Sequence, residues 1–179
     1  KLIRDGADPN AVIQGISVLI GASMIGRVDI VRVLLEHQAD VNAVNNDGGS
    51  ALMYASSKVY LDIVCVLLEL QADVNAVSND GIDALMYASG KGHIDIVRVL
   101  LEHQADVNAV NNDGVSALMS ASNKGHLDIV RVLLEYQADV NAVNNDGGSA
   151  LMGASSVGRV DIVRVLLEHQ ADVNAVHND

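Results

Sequence analysis

Apolar and polar positions repeat along the chain with a period of about 33 residues, which is typical of proteins built as a stack of repeated units. The string from Gly26 to Val44 returns unchanged from Gly158 to Val176, four periods further along the chain. The methionines at Met53, Met86 and Met119 follow the same spacing. We therefore expect each unit to pack on its two neighbours rather than around one central core.

The unit at residues 45–77 illustrates the elements that the pattern predicts. An Asn-Asp-Gly turn comes first, since Asn and Gly tolerate a positive φ angle. Ser50 can cap the helix predicted over Ala51–Lys58. A break near Val59–Tyr60 precedes a second helix, with Asp62 at its positive end. The second helix is apolar around much of its circumference and must therefore lie between neighbours.

Neither helix is long enough to be stable alone, because isolated helices under about 12–15 residues are marginal in water. The sequence therefore predicts an all-α repeat solenoid of paired antiparallel short helices joined by hairpin-like turns. We expect a single array over residues 1–179, with a partial repeat at 1–11 and the start of another at 177–179. The five full repeats are expected at 12–44, 45–77, 78–110, 111–143 and 144–176.

Composition narrows the range of partners and settings. The net charge of −12 disfavours nucleic acid and anionic membrane surfaces, both of which attract basic proteins. No apolar run approaches the roughly 20 residues needed to span a bilayer. The single cysteine, Cys65, cannot form an intramolecular disulfide, and we expect it to be a small, partly buried apolar residue. An intracellular, cytoplasmic setting is expected, since it fits this cysteine usage.

The chain resembles the ankyrin repeat family over essentially its whole length. In the second unit the resemblance is carried by Asp47-Gly48, Ser50-Ala-Leu-Met53 and Asp62-Ile-Val, followed by Val66-Leu-Leu68 and Ala72-Asp-Val-Asn-Ala76. The third and fourth units add Gly-His pairs between the helices. The resemblance implies the ankyrin fold and a non-catalytic role in binding another protein. It also implies a concave face, formed by turn tips and first helices, that holds the partner.

Three positions depart from the family pattern. The family's Thr-Pro-Leu-His is replaced mostly by Ser-Ala-Leu-Met, so Met packing takes the place of hydrogen bonds from His. The Gly that usually ends the second helix is Gln in all five full units, which means either a remodelled junction or about 1 kcal/mol of strain per repeat. Val59 replaces an inter-helix Gly, so we expect a local distortion of the second unit.

Candidate chemistry is better explained as repeat structure. His37, His103 and His169 share one position but never lie in adjacent units, so they cannot share a metal ion. His93 and His126 occupy the family's Gly-His turn, where we expect a structural role. The Asn-Asp-Gly turns lack the alternating ligands and terminal Glu of a calcium loop. No phosphate loop or nucleophile motif is present, so we expect no catalytic residue, cofactor or metal.

The positions that differ between repeats are those that the stack does not determine. They lie on turn tips and first helices, where the resemblance places the partner. Tyr54 and Tyr87 are expected to be neighbours on the groove wall, beside exposed Ile82 and Val115, because Tyr is a favoured interface residue. Lysines would line one rim and turn aspartates the other. The predicted partner-binding residues are Asp47, Tyr54, Lys58, Asp80, Ile82, Tyr87, Lys91, Asp113, Val115 and Lys124.

Several alternatives stay open at this level. Tyr54 and Tyr87 could pack between first helices instead of facing a partner. The array could be a structural or elastic spacer, or a recently duplicated or engineered consensus without a dedicated partner. A catalytic domain could also lie outside this segment. We expect a monomer, in which uncapped terminal repeats leave end-to-end stacking open.

Overall fold

The computed structural model describes residues 8–174, which form five antiparallel helix pairs stacked in chain order. The first helix of each pair, in order, is α1 (Val18–Met24), α3 (Ala51–Ser57), α5 (Ala84–Lys91), α7 (Ala117–Lys124) and α9 (Ala150–Ser156). The second helices are α2 (Val28–Glu36), α4 (Leu61–Glu69), α6 (Ile94–Glu102), α8 (Leu127–Glu135) and α10 (Val160–Glu168). The predicted solenoid of helix pairs is confirmed.

Two features predicted for the ends lie outside the described residues. They are the partial repeat around Leu2-Ile3 and the further turn at 177–179. The unit boundaries within 8–174 remain predictions, and the repeats are numbered one to five by them.

Each first helix begins at a polar cap and is rich in small residues. The Ser50 hydroxyl accepts a hydrogen bond from the Met53 backbone N–H at 3.3 Å, and the equivalent serines act alike in repeats one, four and five. In repeat three the cap is Asp83, whose Oδ1 accepts from the Met86 N–H at 2.7 Å. These caps satisfy N–H groups that a helix start leaves without a partner.

The size of the side chains between helices determines how closely adjacent repeats pack. The first helices of adjacent repeats pack closely, because their contact faces carry small residues such as Ala51, Ala55 and Ser56, all fully buried. The second helices approach each other less closely and bury larger side chains, such as Ile63 and Leu67. Met53, Met86 and Met119 are buried beside this aliphatic core, in agreement with the expected Met packing.

The hairpins that precede the first helices bond to one another along the stack. In repeat one a regular hairpin pairs β1 (Val12–Ile13) with β2 (Ile16–Ser17). In repeat two the Asn45 side chain closes the turn by accepting from the N–H groups of Asp47 and Gly49. The next hairpin attaches through Asn79, whose backbone N–H donates to the Asp47 carbonyl at 2.9 Å. Such bonds hold the turn tips in register.

A second row of bonds joins the far side of adjacent repeats, after the second helices. There the Asn42 side chain accepts from the N–H of Asp73 at 2.8 Å, and the same bond recurs at Asn75, Asn108 and Asn141. The hairpin row and this row together hold both edges of the stack.

The junction after each second helix is strained rather than remodelled. Gln38, Gln71, Gln104, Gln137 and Gln170 all adopt the left-handed conformation, with φ between 64° and 66°. Only glycine enters this region without steric cost, and other residues lose about 1–2 kcal/mol there. Of the two alternatives for this junction, the structure supports strain.

The expected distortion around Val59 is not seen, and that prediction is wrong. Val59 has φ 64°, close to the 74° of Gly26 and the 70° of Gly158 at the equivalent positions. The preceding residue, Lys58, also keeps the backbone of its counterpart Ile25. The turn is closed by a bond from the Tyr60 N–H to the Ala55 carbonyl at 3.1 Å, as Arg27 bonds to Ala22 at 3.0 Å, so Val59 keeps the shared shape and is strained in it.

Candidate functional site

The hairpins and first helices of repeats three to five surround an open hollow of about 570 Å³. Buried Met86 and Met119 and half-buried Met152 contribute to its walls, while polar groups come from the hairpins and helix ends. We call it the methionine hollow. Its lining is Ile82, Met86, Tyr87, Gly90, Lys91, Asn111, Val115, Met119, Ser120, Asn123, Lys124, Asn144, Gly148, Ser149, Met152, Gly153 and Ser156.

The hollow exists because one position of the first helix loses bulk along the stack. The residue after the Met is Tyr in repeats two and three, Ser120 in repeat four and Gly153 in repeat five. A Cβ built on Gly153 would only touch Asn123, at 3.6 Å, so the backbone leaves space there. Tyr87 therefore lines one side of the hollow, and the smaller Ser120 and Gly153 beyond it leave the space open.

A second, smaller pocket of about 250 Å³ lies on the other side of the Tyr87 ring, between repeats two and three. Tyr54, Tyr87, Asp47 and Asp80 are among its lining residues, with Gly49, Met53, Ser57 and Ser78 completing it. We call it the acid–tyrosine pocket. Tyr87 lines both cavities, so they are adjacent along one continuous face.

Tyr54 is held in place by its own hairpin. The Asn45 side-chain amide donates to the Tyr54 hydroxyl at 2.9 Å. A Cβ on Gly49 would come to 3.0 Å from the Tyr54 ring, a tight contact that the glycine avoids. In repeat three the residues equivalent to Gly49 and Asn45 are Ile82 and Ser78, so the sequence there supplies no side-chain amide for Tyr87. The residue next to each tyrosine therefore differs in size: the small Gly49 lies beside Tyr54, and the larger Ile82 stands at the equivalent position for Tyr87.

Charge is separated across the face. Asp47, Asp80 and Asp113 are exposed at successive hairpin tips, and Lys91 and Lys124 are exposed at the ends of α5 and α7. The pKa of the Tyr87 phenol is raised, mainly by burial and further by Tyr54 and the negative charge of Asp80. That shared electrostatic influence agrees with the closeness of the three side chains.

Eight of the ten predicted residues line one of the two cavities. The methionine hollow takes Ile82, Tyr87, Lys91, Val115 and Lys124, and the acid–tyrosine pocket takes Asp47, Tyr54 and Asp80 along with Tyr87. Lys58 and Asp113 are exposed but line neither.

Two expectations about this face need correction or extension. Ile82 and Val115 were expected to be exposed, but both are half-buried because they pack against the core. Sequence reasoning missed the methionines and the turn residues Asn111 and Asn144, since these positions are nearly invariant between repeats and look purely structural. Their position next to the variable residues was the sequence signal that could have placed them on this face.

The histidines bond to the backbone. His93 and His126 each place Nε2 3.3 Å from a carbonyl oxygen of the preceding repeat, on Ser57 and Gly90. His103 and His169 bond to their own helices through Nδ1. These contacts support the structural roles expected for them.

Residues 8–174 hold no group of three or more His, Cys, Asp or Glu that could bind a metal ion. Cys65 is half-buried, and burial raises the pKa of its thiol. In the same described range, no helix is both long and apolar enough to cross a membrane.

Comparison with known proteins agrees with the architecture. The sequence pattern of the family described as ankyrin repeats (3 copies) matches residues 1–78 and 85–177, and that of ankyrin repeats (many copies) matches residues 60–101. The chain belongs to the ankyrin repeat family. Ankyrin repeats generally mediate protein–protein interaction, and the proteins that contain them are generally non-catalytic.

One curated relative is alpha-latrocrustotoxin-Lt1a of Latrodectus tredecimguttatus, which is 47% identical over 57 residues. The match covers 31% of this ankyrin chain and 4% of the length of the toxin. The similarity is therefore one of repeat sequence, extending over less than two full repeats.

Proposed function

We propose that this ankyrin array binds another protein along the concave face formed by the hairpin tips and first helices. The observation that supports it most is the methionine hollow, about 570 Å³ in volume and open to solvent. Binding sites are typically concave and mostly apolar, with a few polar groups at fixed positions. The hollow has this character, with methionine and valine beside asparagine and lysine.

The scaffold around the hollow suits binding, because its residues are fixed by packing and by the hairpin bonds. A partner would therefore meet a pre-organised surface and lose little affinity to ordering. We assign the contact to Ile82, Tyr87, Lys91, Val115 and Lys124 in the hollow. Asp47, Tyr54 and Asp80 extend it over the acid–tyrosine pocket, with Lys58 and Asp113 at the edges.

A variant that fills the hollow without disturbing the stack tests this proposal. Ser120→Tyr restores the residue that repeats two and three already carry at that position, so the fold should tolerate it. His103→Tyr is a matched control on the second-helix side, where repeat four already has Tyr136. The double variant Tyr54→Ala with Tyr87→Ala removes both tyrosine rings from the face.

The four proteins would be immobilised, and captured proteins would be crosslinked and identified by mass spectrometry. We expect the same partners on wild type and His103→Tyr, with capture lost on Ser120→Tyr and on the double alanine variant. Equal capture by all four proteins, or none by any, would instead favour a structural or elastic spacer. Circular dichroism checks that each variant is folded.

A non-catalytic, intracellular role is part of the same proposal. The exposed acidic residues of the described repeats recur at equivalent positions, such as Asp62, Asp95 and Asp128, whereas a catalytic site is a single arrangement. The monomeric state that we propose would be checked by sedimentation at several concentrations.

A further inference from the structure

The acid–tyrosine pocket has a composition that differs from the rest of the binding face. The methionine hollow is mostly apolar, and its charged side chains are the lysines at its rim. The acid–tyrosine pocket instead combines two carboxylates with two aromatic rings in about 250 Å³. That volume equals roughly eight water molecules at about 30 Å³ each, more than the head group of an arginine or lysine needs.

The two carboxylates are available to a ligand. Asp47 and Asp80 are exposed, and neither forms an ion pair within the described part of the chain. The turn uses the backbone N–H of Asp47 and leaves its side chain without a hydrogen-bond partner among residues 8–174. Their negative charges are thus unbalanced at the mouth of the pocket, where a partner could neutralise them.

The two tyrosines supply the other requirement for binding a cation. An aromatic face attracts an ammonium or guanidinium group within about 6 Å, and more strongly where water is excluded. Tyr54 is fixed by Asn45, and Tyr87 is half-buried beside it. Asp80, Tyr54 and Tyr87 line the same pocket, so the carboxylate and both rings face one space.

We infer that the acid–tyrosine pocket binds an arginine or lysine side chain of a protein partner, and that an aliphatic side chain a few residues away in the same partner segment enters the methionine hollow. This inference rests on the proposed function, and it specifies the chemistry of the partner segment. Adjacent repeats are about 10 Å apart, and an extended chain advances about 3.3 Å per residue. The cationic and aliphatic residues are therefore separated by about three to five residues.

The repeats offer a control for non-specific attraction to an acidic protein. Asp47→Asn with Asp80→Asn removes two charges at the pocket. Glu102→Gln with Glu135→Gln removes two exposed charges from the ends of α6 and α8, away from both cavities and from the proposed contact. The two double variants have the same net charge, so a difference between them reports the pocket and not the overall field.

A phage-displayed library of random nonapeptides would be selected on the full chain at about 0.15 M salt, where exposed charges are screened beyond about 8 Å. Enriched peptides would be synthesised, and their dissociation constants measured by calorimetry before and after exchange of the basic residue for norleucine. On wild type and on the Glu102/Glu135 variant we expect the exchange to weaken binding at least tenfold. On the Asp47/Asp80 variant we expect less than a twofold effect, and Tyr87→Leu should reduce the wild-type effect severalfold.

Enriched peptides without a basic residue would overturn the inference, as would a norleucine effect that is unchanged in the Asp47/Asp80 variant. If such peptides are still blocked by Ser120→Tyr, the proposed function stands and only the cation site fails. If no peptide is enriched and capture of proteins is insensitive to Ser120→Tyr, both fail. If the wild type self-associates and the Asp47/Asp80 variant does not, the occupant of the pocket is a lysine of a second copy. That result would also overturn the inference that the partner is a different protein.

Discussion

Asp83 offers a sharp test of the energetics, because it is the one aspartate among the described first-helix caps and the others are serine. Its side chain is 3% exposed, and burial raises its pKa to about 6 from the usual 3.8, although hydrogen bonds from Met86 and Leu85 act in the opposite direction. The difference is about two pKa units, which corresponds to about 3 kcal/mol at about 1.4 kcal/mol each.

The sign follows from proton linkage. Between about pH 3.8 and 6 the folded state holds the Asp83 proton and the unfolded state has released it. The stabilisation by the neutral acid is therefore complete below pH 3.8 and lost as the pH rises through 6. Relative to Asp83→Ser, we expect wild type to lose about 3 kcal/mol of unfolding free energy between about pH 3 and about pH 7.

Urea unfolding of both proteins across this pH range measures the difference directly. Ser116→Asp is the matched reciprocal variant, because Ser116 caps the next first helix and is 5% exposed. It should acquire the same pH dependence that Asp83→Ser loses. Curves for wild type and Asp83→Ser that stay parallel within about 0.5 kcal/mol would show that burial does not raise this pKa, and the reasoning would be refuted.

Two further substitutions test local strain and buried polarity. Val59→Gly should raise the melting temperature. The relief of about 1–2 kcal/mol of left-handed strain exceeds the roughly 0.5–1 kcal/mol entropic cost of glycine. A lower melting temperature would contradict this account. Ser89→Ala should stabilise the array by about 1 kcal/mol in urea unfolding, because that buried hydroxyl lacks a hydrogen-bond partner among residues 8–174. Ser23→Ala is its control and should not stabilise, because the Ser23 hydroxyl donates to the Leu19 carbonyl at 2.9 Å; equal gains in both would rule out the explanation.

Much of the fold could be predicted from the sequence because its causes are local and recur in every repeat. The Ser50 cap, the hairpin Asn45 and the left-handed Gln71 each act on residues within a few positions of themselves. The period then requires that every unit stack in the same way. Val59 shows the limit of this reasoning, since the turn keeps the shape found at Gly26 and Gly158 although valine does not favour it.

The candidate site was less predictable, because a cavity is defined by the space between side chains from different repeats. The repeat comparison shows which positions vary, and from it we predicted that Tyr54 and Tyr87 are neighbours on one face. Only the tertiary structure decided that Gly49 makes room for Tyr54, that Ser120 and Gly153 leave a hollow, and that Tyr87 separates it from the acid–tyrosine pocket. Volume, burial and the pKa of a buried group depend on contacts between residues of adjacent repeats, and these exist only once the repeats are stacked.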